Sequence, residues 1–159
     1  MLWAVQYLQN AGMPSRDEAK TFAANVDTAL GASVSPVYPL GGGYTQEFEN
    51  GSRYLSGKGW FSSPPAVATL ARAYRIVPLG ALVGGRQDFD VADGFAVFSS
   101  PATGTHAVYG AIRHSYIARL GLATSDEYAW QGTTSRAVDF QNGRIVWSPT
   151  TGPVVSLKS

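Results

Sequence analysis

Apolar and polar positions change period several times along this chain, and each change marks an element. Over Val138 to Trp147, "VDFQNGRIVW", apolar residues alternate with polar ones on either side of Asn142-Gly143, the pattern of two half-buried strands joined by a tight type I′ turn. The pattern recurs around Gly51 in "EFENGSRYL" and around Gly94 in "DFDVADGFAVF", with the turn glycines 43 and 49 residues apart. Elsewhere the spacing lengthens to the helical period. In "SSPPAVATLARAYRI", Ser63 is placed to cap, Pro64 suits a first helical position, and Val67, Leu70, Ala71 and Tyr74 share one face. In "THAVYGAIRHSYIARLG", Thr105 is placed to cap and Val108, Ile112 and Tyr116 recur every fourth residue, while Trp3 and Tyr7 keep that spacing at the start of the chain.

The joints between these elements also repeat. "GMPSRDE" from Gly12 aligns with "GLATSDE" from Gly121, and both carry the Ser/Thr-x-x-Glu spacing of a capping box, Ser15 with Glu18 and Thr124 with Glu127. In the first copy the box is expected to open an extra helix, because Phe22, Val26 and Leu30 hold helical spacing up to Gly31. Tyr54, Phe98 and Trp147 fall at near-equivalent places on their hairpins, where a repeat protein puts its shared core. The expected fold is therefore α+β: three tandem helix-plus-β-hairpin repeats, roughly 1–59, 60–104 and 105–152, with a helical insertion near 17–30. They would form a single domain over residues 1–159, arranged as an open row or a pseudo-threefold ring.

Composition narrows the function more than the fold. Twelve basic and eleven acidic side chains give a formal net charge of +1 with no basic run, so nucleic acid is not an expected partner. The absence of cysteine excludes disulfides and thiolate metal sites. No apolar run approaches the ~20 residues that cross a bilayer. The start "MLWAVQYLQNAG" lacks the charged opening and cleavage site of a signal peptide, so an exported form would have had its signal outside this chain.

"LGLATSDE" followed by "FQNGRIVWSPTTG", preceded by "TGTHAVYGAI", resembles the LGFP repeat, whose units pair a helix ending in Leu-Gly with a hairpin ending in Trp-Ser-Pro-x-Thr-Gly-x-His-x-Val. The resemblance is strongest over Thr105 to Gly152. It is weaker at Gly12, Pro14, Asp17 and Glu18, and at Ser100, Pro101, Thr103, Gly104, His106 and Val108; Ala123 stands where the family has proline. The resemblance implies a secreted, cell-envelope module of bacteria with mycolic-acid walls, binding arabinogalactan or peptidoglycan and anchoring a mycolyltransferase, esterase or peptidoglycan hydrolase.

The residues themselves carry no nucleophile elbow, zinc-protease helix, P-loop or dinucleotide fingerprint, so no catalytic residue, metal or cofactor is expected. His106 and His114, placed eight apart on one helix, would stand too far apart to share a metal. Asp126 and Glu127 are expected to fix a joint, with sugar hydroxyls as alternative partners. Trp60 and Trp130 fall in expected loops, where a flat aromatic face could meet sugar C–H groups. Together with His106 and Tyr109 these six residues form the expected glycan-binding set. Two other readings follow from the same residues: a small cell-wall hydrolase using Asp126 or Glu127 with His106, and a protein–protein scaffold.

Overall fold

The computed structural model describes residues 16–132 and 134–159, and it is mostly β. Its order is α1 (Arg16–Ala24), a 3₁₀ turn (Thr28–Leu30), β1 (Tyr38–Leu40), β2 (Gly43–Phe48), β3 (Gly51–Ser56), β4 (Gly59–Ser63), α2 (Pro65–Tyr74), β5 (Arg86–Asp88), β6 (Phe95–Ser100), β7 (Gly104–Tyr109), α3 (Gly110–His114), a second 3₁₀ turn (Ala118–Leu120), β8 (Tyr128–Ala129), β9 (Arg136–Phe140), β10 (Gly143–Ser148) and β11 (Gly152–Leu157). The strands form three antiparallel meanders of four, three and four strands, β1-β2-β3-β4, β5-β6-β7 and β8-β9-β10-β11. The expected helix-plus-hairpin repeat is thus overturned. Gly59, Gly104 and Gly152, at the ends of the expected repeats, each begin a further strand.

The largest difference lies at "THAVYGAIRHSYIARLG". Ser100 and Thr103 close a turn, with the Thr103 amide donating to Ser100 Oγ at 3.1 Å, and the chain returns along β6 with Phe98 opposite His106 and Ala96 opposite Val108. The four-residue spacing of Val108 and Ile112 is therefore shared between a strand and the five-residue helix α3, which starts at Gly110 with φ +65°. His106 and His114 do not share a helix.

The helix expected from Phe22 to Leu30 also stops early. The Asn25 side-chain amide donates to the Thr21 carbonyl at 2.8 Å, and Asp27 then caps the 3₁₀ turn through the Ala29 amide at 3.1 Å, which leaves Val26 64% exposed. Helix α2 forms where expected, though Pro65 occupies its first turn and its buried stripe is Val67, Ala68 and Ala71, with Tyr74 outside it. The helix expected at Trp3 and Tyr7, and the Ser15 end of the first capping box, lie outside the described residues.

The chain divides into two compact units, Met1–Ala81 and Leu82–Ser159. In the first, the four-stranded sheet is covered on both faces. Phe22 of α1 meets Trp60 edge to face at 4.8 Å on one side, and Val67, Ala68 and Ala71 of α2 pack over Thr45, Ser52 and Tyr54 on the other. In the second, Ile112 of α3 and Leu120 pack between two sheets, against Ala96, Phe98 and Val108 of one and Val138, Phe140 and Ile145 of the other. The Phe98 and Phe140 rings meet edge to face at 5.9 Å, and Trp147 packs half-buried against this core.

Candidate functional site

One backbone device is built twice. Leu30-Gly31 and Leu120-Gly121 each end a 3₁₀ turn, with the glycines at φ +79°, ψ −157° and φ +75°, ψ −156°. These are conformations that glycine adopts without the steric cost other residues meet. A side chain added at either would run into the residue that caps the next amide, Glu49 or Gln141. The amides of Ala32 and Leu122 donate to Glu49 Oε2 at 3.2 Å and Gln141 Oε1 at 2.9 Å. The amides of Val34 and Thr124 donate to the Glu47 and Asp139 carbonyls at 2.9 and 2.8 Å. Finally, Ser35 and Ser125 each accept from the amide of that same residue, Glu47 or Asp139, at 2.9 Å.

Gly31 therefore takes the place that sequence alignment gave to Gly12. The signal was present in "LGASVS" beside "LGLATS". No helix follows Thr124, so Thr124 and Glu127 do not form a capping box; Glu127 accepts from Arg136 Nε at 3.1 Å instead. The Ser-Pro-x-Thr-Gly turns also coincide, Ser100 with Thr103 and Ser148 with Thr151, both hydroxyl pairs at 2.6 Å. That register sets Tyr54, Phe98 and Val146 at equivalent positions, opposite Phe61, His106 and Val154, and moves Trp147 to the neighbouring face. The aromatic equivalence expected from the turn glycines failed because Gly94 belongs to the loop before β6, whereas Gly143 is the first residue of β10.

Each unit has a groove at this device. In the second it measures about 370 Å³ and is lined by Thr124, Asp139, Gly143, Arg144, Ser156 and Lys158, among others. Asp139 Oδ1 accepts from Arg144 Nε at 2.5 Å and from the Tyr128 hydroxyl at 2.9 Å. The Arg144 guanidinium lies 4.6 Å above the Trp130 ring, with Tyr128 6.4 Å from that ring. Burial first, and then the bond to Asp139, push the Tyr128 phenol above its usual pKa, and the same carboxylate raises that of Arg144. The result is a neutral ion pair flanked by an aromatic shelf, with Lys158 Nζ donating to the Gln141 carbonyl at 3.0 Å on the rim.

The six expected glycan residues are divided between the two units. Trp60 lies in the first unit, under the Arg53 guanidinium at 4.7 Å and against Phe22. Tyr109 stacks on Phe95 at 5.5 Å. Asp126 and His106 do meet, Nδ1 to Oδ1 at 2.9 Å, while His106 Nε2 donates to the Thr103 carbonyl at 2.6 Å. Both ring nitrogens are engaged within the fold. Glu127 and Arg136 pair with each other, and neither is among the residues that line the groove. Sequence reasoning missed Tyr128, Asp139, Arg144 and Lys158, which come together only through the pairing of β8, β9, β10 and β11. Among the described residues no group of three acidic or histidine side chains could hold a metal, and no helix is long and apolar enough to cross a membrane.

A turn fixed by Leu-Gly, followed by an antiparallel meander and written repeatedly along the chain, defines a tandem β-repeat protein. The LGFP-repeat family model matches residues 78–119 and 120–156, so this stretch belongs to the LGFP-repeat family. The family points to a cell-wall-associated repeat module. The Leu30–Ser63 copy lies outside the matched stretch and is related to it by geometry. The chain matches none of the curated proteins compared with it.

Proposed function

We propose that this protein is a non-catalytic, exported cell-envelope module that binds wall glycan of the arabinogalactan or peptidoglycan type at the groove beside Trp130 and holds an associated enzyme there. The observation that carries this reading is the Trp130, Arg144, Asp139 and Tyr128 cluster on the sheet face where Val154 stands 49% exposed. An indole face offers sugar C–H groups a flat apolar surface. Around it, Asp139, Arg144, Thr124, Ser156 and Lys158 supply acceptors and donors for hydroxyls at little net charge. The family match supports the cell-wall setting. The hydrolase reading gains the His106–Asp126 contact, but His106 spends its second nitrogen on Thr103 and offers no free base.

The test is retention of the purified protein on protein-stripped walls of mycolate-containing bacteria, with ordinary peptidoglycan as comparison. Selective retention that falls at least tenfold in Trp130→Ala, with the thermal melt unchanged, is the expected result. Equal retention of Trp130→Ala would remove this groove from the proposal. Release of soluble sugar that stops in Asp126→Asn would move the function to hydrolysis.

A further inference from the structure

Each of the three sheets has two edges, and all but one are short or covered. β1, β5 and β8 are edges of three, three and two residues. β4 and β7 are longer, but β4 has no exposed residue and β7 is exposed only at its two ends. β11 is different. It runs for six residues along β10, and Pro153, Val154, Ser156 and Leu157 are exposed.

The register fixes which of its backbone groups point outward. The Lys158 amide donates to the Asn142 carbonyl at 2.9 Å, so Ser156, Val154 and Gly152, at steps of two from it, turn their amides and carbonyls toward β10. Val155 and Leu157 turn theirs away from the sheet, and among the described residues nothing bonds to them. Pro153 also faces outward, but as a carbonyl alone.

We propose that β11 is a docking edge for a second copy of this chain, paired antiparallel about a two-fold axis at Ser156. In that register Val155 of each copy lies opposite Leu157 of the other, and these two pairs exchange four backbone hydrogen bonds. Pro153 falls outside the exchange, so its missing amide costs nothing. The side chains match as well. On one face Val155 meets Leu157, apolar against apolar; on the other, Ser156 meets Ser156 and Lys158 meets Val154. The two lysines stand at opposite ends, about 14 Å apart along the strands, so no like charges are opposed. A second copy is the occupant because this edge is complementary to itself in hydrogen bonds, in apolar surface and in charge.

The pairing does not rest on the glycan reading, but it bears on it. Ser156 and Lys158 line the groove of the last repeat. In the dimer, Ser156 and Val154 of the second copy extend that wall. Two grooves then share one face of an eight-stranded sheet, about 15 Å apart across the strands, and each helps to hold the other on a repeating polymer.

Sedimentation of the full chain from about ten micromolar to about one millimolar tests the proposal. One strand edge buries less than a standard interface, so a reversible monomer–dimer equilibrium is expected in the upper part of that range, with concentration-dependent shifts of the Val155 and Leu157 amide resonances. Leu157→Pro removes an amide that bonds to nothing within the fold; it should weaken dimerisation about tenfold and leave the thermal melt nearly unchanged. Ser156→Asp sets two carboxylates against each other across the axis, and Ser156→Lys two ammonium groups. Each alone should dimerise about tenfold more weakly, and an equal mixture of the two should recover. A monomer throughout the range would overturn the proposal. A dimer that survives both Leu157→Pro and Ser156→Asp would overturn it too, by placing the contact elsewhere. Wall retention of Trp130→Ala reads the groove and sedimentation reads the edge, so either can fail alone.

Discussion

The first sheet and the last are one design with different surroundings. Both have the Leu-Gly turn, the same four strands and the same serine holding the acidic residue of the second long strand. On the face that carries Tyr54 in one and Val146 in the other, the first sheet is roofed by α2, while the last presents Val154 at 49% exposure. The side chains follow that difference. Ser52, small and 3% exposed, leaves room for Ala68 and Arg72 of the helix; its counterpart Arg144 reaches out over Trp130 and neutralises Asp139 from within its own sheet. A face covered by a helix and a face left open thus differ sharply at this position.

The contrast can be broken most directly with charge. Val67 of α2 is 0% exposed and Val154 is 49% exposed. Val67→Asp places an unpaired carboxylate beneath the roof and should cost about 3–5 kcal/mol. Val154→Asp should cost under about 1 kcal/mol. Urea unfolding of the two variants reads the difference. A large loss in Val154→Asp would mean that the last face is covered in solution.

A second pair should behave alike. A Cβ at Gly51 would run into the Ser63 carbonyl, and one at Gly143 into that of Ser156, because β4 and β11 pass equally close to β3 and β10. Gly51→Ala and Gly143→Ala should each lose about 1–3 kcal/mol. Gly51, at φ +138°, should lose more. A harmless Gly143→Ala would dissolve the structural equivalence of the two sheets.

The parts of this design that are local in sequence were legible in it. Asn50-Gly51 and Asn142-Gly143 announced their hairpins. The two turn residues are nonetheless Glu49-Asn50 and Gln141-Asn142, so that Gly51 and Gly143 already pair with Phe48 and Phe140 and the expected type I′ turn does not form. Pro64 with the Val67–Ala71 stripe announced α2, which starts one residue later at Pro65. The stretch after Gly104 was not legible, because Val108 and Ile112 fit a period of four and only the pairing of Phe98 with His106 shows that the first belongs to a strand. The acidic residues at 126–127 looked like a cap until the chain after them proved extended. The type and place of Trp130 mark it as a candidate shelf, but the Arg144 above it and the Asp139 bonded to Arg144 come from strands that pair only in three dimensions. The first repeat was misplaced for a similar reason: alignment rewarded the longer match at Gly12, while the hydrogen bonds that define the device follow Gly31.

The smallest effect sharpens the comparison furthest, because it asks what a tyrosine does on each face. At neutral pH Tyr54→Phe removes a hydroxyl that has no partner and should leave stability unchanged within about 0.5 kcal/mol, whereas Tyr128→Phe removes the bond to Asp139 and should cost about 0.5–1.5 kcal/mol. Alkali reverses the order. Burial holds the Tyr54 phenol above its ordinary pKa, so the folded state keeps a proton that the unfolded chain has released. The contribution is fully present below about pH 10 and is lost as pH rises through the raised folded value. Tyr128 is raised in the same direction, by burial and then by Asp139, but it is only half-buried and solvent screens it. Urea midpoints measured from pH 8 to pH 11 should therefore fall in the wild type. They should fall less in Tyr54→Phe than in Tyr128→Phe. If Tyr54→Phe instead destabilised the protein at pH 7, Ser52 or Ser63 would be holding its hydroxyl within the fold.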